Sequence, residues 1–137
     1  MIGLDTNIVV RYVTQDDPKQ ATLDHRLIEE TLSAEHPGLV STVALVERVR
    51  ILENGYGCDR AQISSVLERL LRANPLAVEQ ADVAWQAARF FARGKADFAD
   101  CLIERAGNAN SCDCTVTFDH LAVKSAGMRL MDEGIVE

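Results

Sequence analysis

Met1-Ile2-Gly3-Leu4-Asp5-Thr6-Asn7-Ile8-Val9-Val10 opens the chain with a short apolar run that stops at an acid and then passes into helical spacing. Apolar residues continue at Tyr12 and Val13, the period of a helix and not of a strand. The same order returns near the other end. Cys114-Thr115-Val116-Thr117-Phe118 has strong β propensity and stops at Asp119, where a short helix starts.

The segments between repeat the alternation. Pro18 suits the first turn of a helix running to about Ser33, with Ala21, Leu27, Ile28 and Leu32 at helical spacing. His36-Pro37-Gly38 is a turn, and Leu39-Val40 reads as a short strand. Ser41 or Thr42 caps a third helix carrying Leu45, Val46, Val49 and Leu52, which Gly55-Tyr56-Gly57 breaks. Asp59 caps the next helix, with Ile63, Val66, Leu67, Leu70 and Leu71 on one face, and Asn74-Pro75 ends it. Leu76-Ala77-Val78 is a strand, followed by a long helix through Val83, Trp85, Ala87, Ala88 and Phe91 that ends at Gly94. A further helix begins near Asp97, and a last strand lies near Met128 to Leu130. Short strands alternating with helices predict a three-layer α/β/α sandwich with a mainly parallel central sheet. With 137 residues and no internal repeat, linker or low-complexity segment, residues 1–137 read as one domain.

Composition sets the class. Hydrophobic residues make up 47% and charged residues 26%, the balance of an ordinary globular protein, which excludes a disordered chain. No stretch reaches the ~18 to 20 apolar residues of a membrane span. The N-terminus lacks the basic region and apolar run of a secretory signal, so a cytoplasmic location is expected. There Cys58, Cys101, Cys112 and Cys114 are expected as free thiols, behaving as small hydrophobes rather than zinc ligands. The formal net charge of −7 counts against a nucleic-acid partner, which usually meets Lys and Arg. It counts less if several carboxylates form a metal site, because a bound cation reverses the local charge.

Five positions carry that possibility. Asp5 and Asp119 stand at the carboxyl ends of predicted strands, the edge where ligands bind in open α/β sheets. Each, alone, is more readily a helix cap. Asp97 and Asp100 share one face at the start of a helix, where Asp97 suits an N-cap better than Asp100 suits its reciprocal partner. Glu47 sits among apolar neighbours, where a carboxylate is costly unless paired or bound to metal; the alternative is an exposed Glu47 pairing with Arg50 or Arg11. Two unit charges ~4 Å apart repel by about 4 kcal/mol at an effective dielectric of 20, so converging carboxylates need a cation. All-oxygen ligation suits Mg²⁺ or Mn²⁺, and only three histidines, His25, His36 and His120, are present.

The pieces Ile2-Gly3-Leu4-Asp5-Thr6-Asn7, Ala44-Leu45-Val46-Glu47, Ala96-Asp97-Phe98-Ala99-Asp100-Cys101-Leu102-Ile103 and Thr115-Val116-Thr117-Phe118-Asp119 stand in an order and spacing that covers almost the whole chain. That order resembles the PIN domain and, within it, the VapC-type toxins of toxin–antitoxin pairs. The resemblance implies an acidic pocket holding Mg²⁺ or Mn²⁺ and hydrolysis of RNA phosphodiester bonds, leaving 5′-phosphate and 3′-hydroxyl ends. Asp5, Glu47, Asp100 and Asp119 fall on the family's acidic quartet, and Asp97 falls where many members carry an additional acid. Thr6, Asn7 and Thr117 fall on polar positions that support the site. Arg48 and Arg50 depart from the apolar residues that often follow the helix glutamate, which suggests a solvent-facing or RNA-holding place for them.

The resemblance also implies a structured RNA substrate such as tRNA or ribosomal RNA, a homodimer, and an antitoxin that occludes the pocket. Arg11, Arg48, Lys95 and Lys124 are the candidate RNA contacts, though such a residue is more often just a solvated surface charge. Glu47 or Asp97 is the candidate base for the attacking water. Two other readings compete. A haloacid-dehalogenase-like phosphatase using Asp5 would need a second Asp where Asn7 stands. A non-catalytic RNA- or protein-binding module of the same fold would gain nothing from four acids.

Overall fold

Every strand pairing among the described residues is parallel, and the strands are very short. The computed structural model describes residues 1–6, 8 and 32–132. The predicted helix after Pro18, most of the helix after Asp5, and the residues Asn7, Arg11 and His25 lie outside them. Strands β1 (Ile2–Gly3), β2 (Gly38–Val40) and β3 (Leu76–Val78) pair side by side in that order, with Ile2 opposite Gly38 and Gly38 opposite Leu76. Strands β4 (Val116–Thr117) and β5 (Arg129–Leu130) form a second parallel pair, Val116 opposite Arg129. The strands therefore form two parallel ladders among the described residues, where one central sheet was expected. Gly38 stands where the core closes on the backbone: a Cβ there would lie 2.6 Å from Leu4 Cδ1 and 2.8 Å from Leu32 Cδ1.

Five helices whose full length lies among the described residues complete the α/β sandwich. Helix α1 (Thr42–Asn54) starts at Ser41, whose hydroxyl accepts the Ala44 N–H at 3.1 Å, an N-cap that satisfies one orphan donor. Helix α2 (Arg60–Arg72) starts with a capping box. Asp59 accepts from Gln62 N at 2.8 Å, and Gln62 accepts from Asp59 N at 2.9 Å. Helices α3 (Ala81–Arg93) and α4 (Phe98–Ala109) pack closely together, and α2 packs on α3 and β3. Helix α5 (His120–Ala126) ends at Gly127, whose φ of 75° is the left-handed stop that glycine adopts without strain.

Among the described residues the core takes in the predicted stripes: Leu45, Val49 and Leu52 of α1, Ile63, Leu67 and Leu70 of α2, and Phe91 of α3. Phe91 meets Phe98 of α4 edge to face, with ring centroids 5.9 Å apart. Two boundaries differ from expectation. Leu32 and Ser33 are not helical, and Ser33 instead exchanges backbone hydrogen bonds with His36 across a turn. The strand expected over residues 114–118 is only Val116–Thr117 long. The Asp119 N–H turns back to Thr117 Oγ1 at 3.0 Å and leaves Phe118 82% exposed. No described helix is long and apolar enough to cross a membrane.

All four cysteines are free thiols. Burial pushes the Cys101 thiol up to about 11, which keeps it protonated and unreactive at neutral pH. Cys112 and Cys114 are exposed, so the expectation that they serve as small hydrophobes fails for these two. They follow the end of α4, where the chain runs over the surface.

Candidate active site

Parallel pairing brings the carboxyl ends of β1, β2 and β3 to one edge, where Asp5, Ser41 and Glu79 follow the three strands. Asp5 is exposed, and Thr6 directly after it is buried, 4% exposed. The Thr6 N–H donates to Asp5 Oδ1 at 2.7 Å and the Thr6 hydroxyl to the same oxygen at 3.2 Å. Thr6 and Ile8 are helical, and Ile8 N donates to Asp5 O at 3.2 Å, so Asp5 also serves as the helix start that its position suggested.

Asp119 plays the corresponding part after β4. Its carboxylate caps α5, accepting the Leu121 N–H at 2.8 Å, while its own N–H donates to Thr117 Oγ1. At α4, Asp97 is the N-cap, accepting the Ala99 N–H at 3.3 Å, and Asp100 lies in the first turn. Asp100 is half-buried. That burial holds its carboxyl above the usual range, and the negative charges of Asp97 and Asp119 push it further in the same direction. The structure thus brings Asp97, Asp100 and Asp119 within mutual electrostatic reach. No three His, Cys, Asp or Glu side chains among the described residues are gathered closely enough to hold an ion outright. The oxygen-only donor set and the like-charge crowding at Asp100 still fit a hard divalent cation in chemical character.

Glu47 is exposed, and this corrects the picture of a carboxylate forced against an apolar face. On α1 the buried positions are Leu45, Arg48, Val49 and Leu52, one stripe at helical spacing, and Glu47 falls on the other side. It lines a cleft of about 400 Å³ with Thr42, Val43, Val46 and Arg50. No ion pair joins Glu47 to Arg50 among the described residues. Arg48 is the charged residue that the stripe takes inside, 4% exposed and packed with Thr6, Val40, Ala44, Leu45 and Leu70. It is therefore not a surface contact for RNA or an antitoxin, contrary to expectation. Lys95, Lys124 and His120 are exposed.

Two residues near the acids escaped the sequence reading. Glu79 follows β3 as Asp5 follows β1, and that parallel was the available signal. Its carboxylate accepts the Thr42 N–H at 3.0 Å, tying the start of α1 to the strand edge. This bond, first, and then one from the Thr42 side chain hold the Glu79 carboxyl below its usual range. Arg60, at the start of α2, donates from one guanidinium nitrogen to Phe91 O at 2.9 Å and Ala96 O at 2.8 Å. Nothing in the local sequence signals that reach, because its partners lie 31 and 36 residues further on.

Over 99 residues the chain is 26% identical to a protein named VapC ribonuclease from Aquifex aeolicus (strain VF5), covering 72% of this chain and 73% of that one. No solved structure matches the chain. The family model described as PIN domain matches residues 2–122, a span that takes in Asp5, Glu47, Asp97, Asp100 and Asp119, and on that match the chain belongs to the PIN-domain family.

Proposed function

We propose that this PIN-domain protein is a divalent-metal-dependent endoribonuclease, the toxin of a toxin–antitoxin pair. The observation that carries the proposal is Asp100, half-buried in the first turn of α4 and crowded by the charges of Asp97 and Asp119. Such crowding costs stability unless a cation offsets it, and structural economy alone gives no reason to keep it. The resemblance to a VapC ribonuclease supports RNA as the substrate.

In this proposal Asp5, Glu47, Asp100 and Asp119 would hold Mg²⁺ or Mn²⁺, which when bound would supply Lewis acidity toward water and positive charge toward the scissile phosphate. Thr6 fixes the orientation of the Asp5 carboxylate through its two hydrogen bonds. Thr117 fixes the backbone of Asp119. Asp97 or Glu47 accepts the proton of the attacking water, and the departing group is the 3′ oxygen. Lys95 and Lys124, both exposed, meet RNA phosphates and supply part of the positive charge that an acidic chain otherwise lacks. The protein acts in the cytoplasm as a homodimer, on structured RNA such as tRNA or ribosomal RNA. An antitoxin silences it by placing a basic side chain among the carboxylates.

The test is cleavage of labelled tRNA and ribosomal RNA fragments by native protein and an Asp100→Asn variant, in Mg²⁺, in Mn²⁺ and in EDTA. Cuts that need the metal and vanish in the variant are expected. Equal cutting by both proteins, or cutting that survives EDTA, would sink the proposal.

A further inference from the structure

Asp97 and Asp100 owe their place to the turn between α3 and α4, and that turn is held from outside. Helix α3 ends at Arg93 with Gly94 as its C-cap, and α4 starts after Asp97, so only a few residues reverse the chain. Arg60 reaches across from the start of α2. Its single guanidinium nitrogen donates to Phe91 O on the incoming side and to Ala96 O on the outgoing side, at 2.9 and 2.8 Å. The guanidinium also lies 4.2 Å from the centroid of the Phe91 ring, which in turn meets Phe98, the first residue of α4. Phe91, Ala96 and Phe98 are all buried, at 1%, 2% and 0% exposure, so the fixed points do not move with the surface. Helix α2 is itself locked at that end by the Asp59–Gln62 capping box.

We infer that Arg60 is a positioning residue for the acid cluster: by bonding both sides of the α3–α4 turn it sets where α4 begins, and hence where Asp97 and Asp100 stand relative to Asp119. The inference rests on the metal-site reading above. Arg60 touches neither substrate nor ion. A shift of the turn by a fraction of an ångström would change the spacing of the carboxylates without unfolding the core. Outer residues that orient metal ligands typically control 10–100-fold in affinity. A planar guanidinium suits the position because it can donate twice while its flat face stacks on Phe91.

The experiment compares native protein with Arg60→Met, which keeps the apolar stem, and Arg60→Lys, which keeps charge and donors. Mn²⁺ affinity is measured by electron paramagnetic resonance on protein shown to be folded by circular dichroism. Hydrogen exchange of the Ala99, Asp100 and Cys101 amides is followed in parallel. Arg60→Met is expected to bind Mn²⁺ about 10–100-fold more weakly, with faster exchange confined to the first turn of α4. Arg60→Lys, which keeps the charge but not the planar, stacked donor, is expected to recover only part of the affinity. Native-like Mn²⁺ affinity in folded Arg60→Met overturns the inference alone, and so does weakened binding with native exchange at the first turn of α4. Native protein that binds no Mn²⁺ overturns the metal reading and the inference with it.

Discussion

Thr6 is buried immediately after an exposed Asp5, and both its N–H and its hydroxyl donate to the same carboxylate oxygen, Asp5 Oδ1. The buried threonine therefore acts as a fixed base that orients a solvent-facing acid. The hydroxyl bond can be removed by Thr6→Val, which keeps the branched shape, whereas Thr6→Ser keeps the bond. Thr6→Val is expected to lower Mn²⁺ affinity by roughly tenfold, as for other residues that orient metal ligands. Its cost in stability is about 1 kcal/mol, the size of one lost hydrogen bond. Titration calorimetry and urea unfolding read the two effects separately. Affinity unchanged in Thr6→Val would mean that the backbone N–H alone orients Asp5.

Asp100 sets a stability signature that depends on pH. Burial, then the charges of Asp97 and Asp119, raise its carboxyl in the folded protein above its unfolded value. A raised acid favours folding fully below the unfolded value, near pH 4, and that favourable contribution is lost as pH rises through the folded value. At neutral pH the ionised Asp100 therefore costs stability in metal-free protein. Asp100→Asn should melt at a higher temperature than native protein at pH 7 in EDTA, with the gap closing as pH falls below about 4. Mn²⁺ should reverse the ranking. At 100 times its Kd it stabilises native protein by about 2.7 kcal/mol and the variant by much less. A variant that melts below native protein in EDTA at pH 7 would contradict the crowding argument.

How far these features are legible in the sequence follows from their range. Helix starts at Ser41, Asp59, Asp97 and Asp119 are written in single residues, because a cap bonds a donor two or three residues away. The core stripes of α1 and α2 are legible for the same reason. Glu47 and Arg48 show the limit. Adjacent on the helix, they differ by about 100° in direction; the sequence leaves Glu47 open between the apolar face and the surface and suggests the outside for Arg48, which is the one buried. Pairing between strands of two residues depends on geometry too fine for propensity, so the separate β4–β5 ladder was not foreseen. Arg60 and Glu79 act across more than thirty residues, and such contacts leave no mark on local periodicity.

The edge-to-face pair of Phe91 and Phe98 joins the two helices that carry and brace the acids. Both rings are nearly inaccessible to solvent. Phe98→Ala is expected to cost about 3–5 kcal/mol, the usual range for emptying an aromatic site. Because a domain of this kind has only about 5–15 kcal/mol in hand, the urea midpoint should fall by a large fraction. Phe98→Leu, which fills more of the space, should lose clearly less. Equal losses in the two variants would show that ring geometry, not volume, decides the packing here.

Asp97 has two possible employments, helix cap and member of the acid cluster, and one substitution separates them. Serine is as good an N-cap as aspartate but carries no charge. Asp97→Ser should therefore leave the free energy of unfolding, read from urea titration, within about 0.5 kcal/mol of native, the range of a surface change that breaks nothing. If Asp97 takes the proton of the attacking water, the same variant should cleave RNA roughly 10²–10⁴-fold more slowly, the usual contribution of a general base. Asp59→Ala is the opposite control. It removes the capping box of α2, with its 2.8 and 2.9 Å bonds, and leaves the acid cluster intact. It should cost about 1 kcal/mol of stability and, through the loosened start of α2 at Arg60, slow cleavage far less than Asp97→Ser does. Native-rate cleavage by Asp97→Ser would reduce Asp97 to a cap and leave Glu47 as the remaining base.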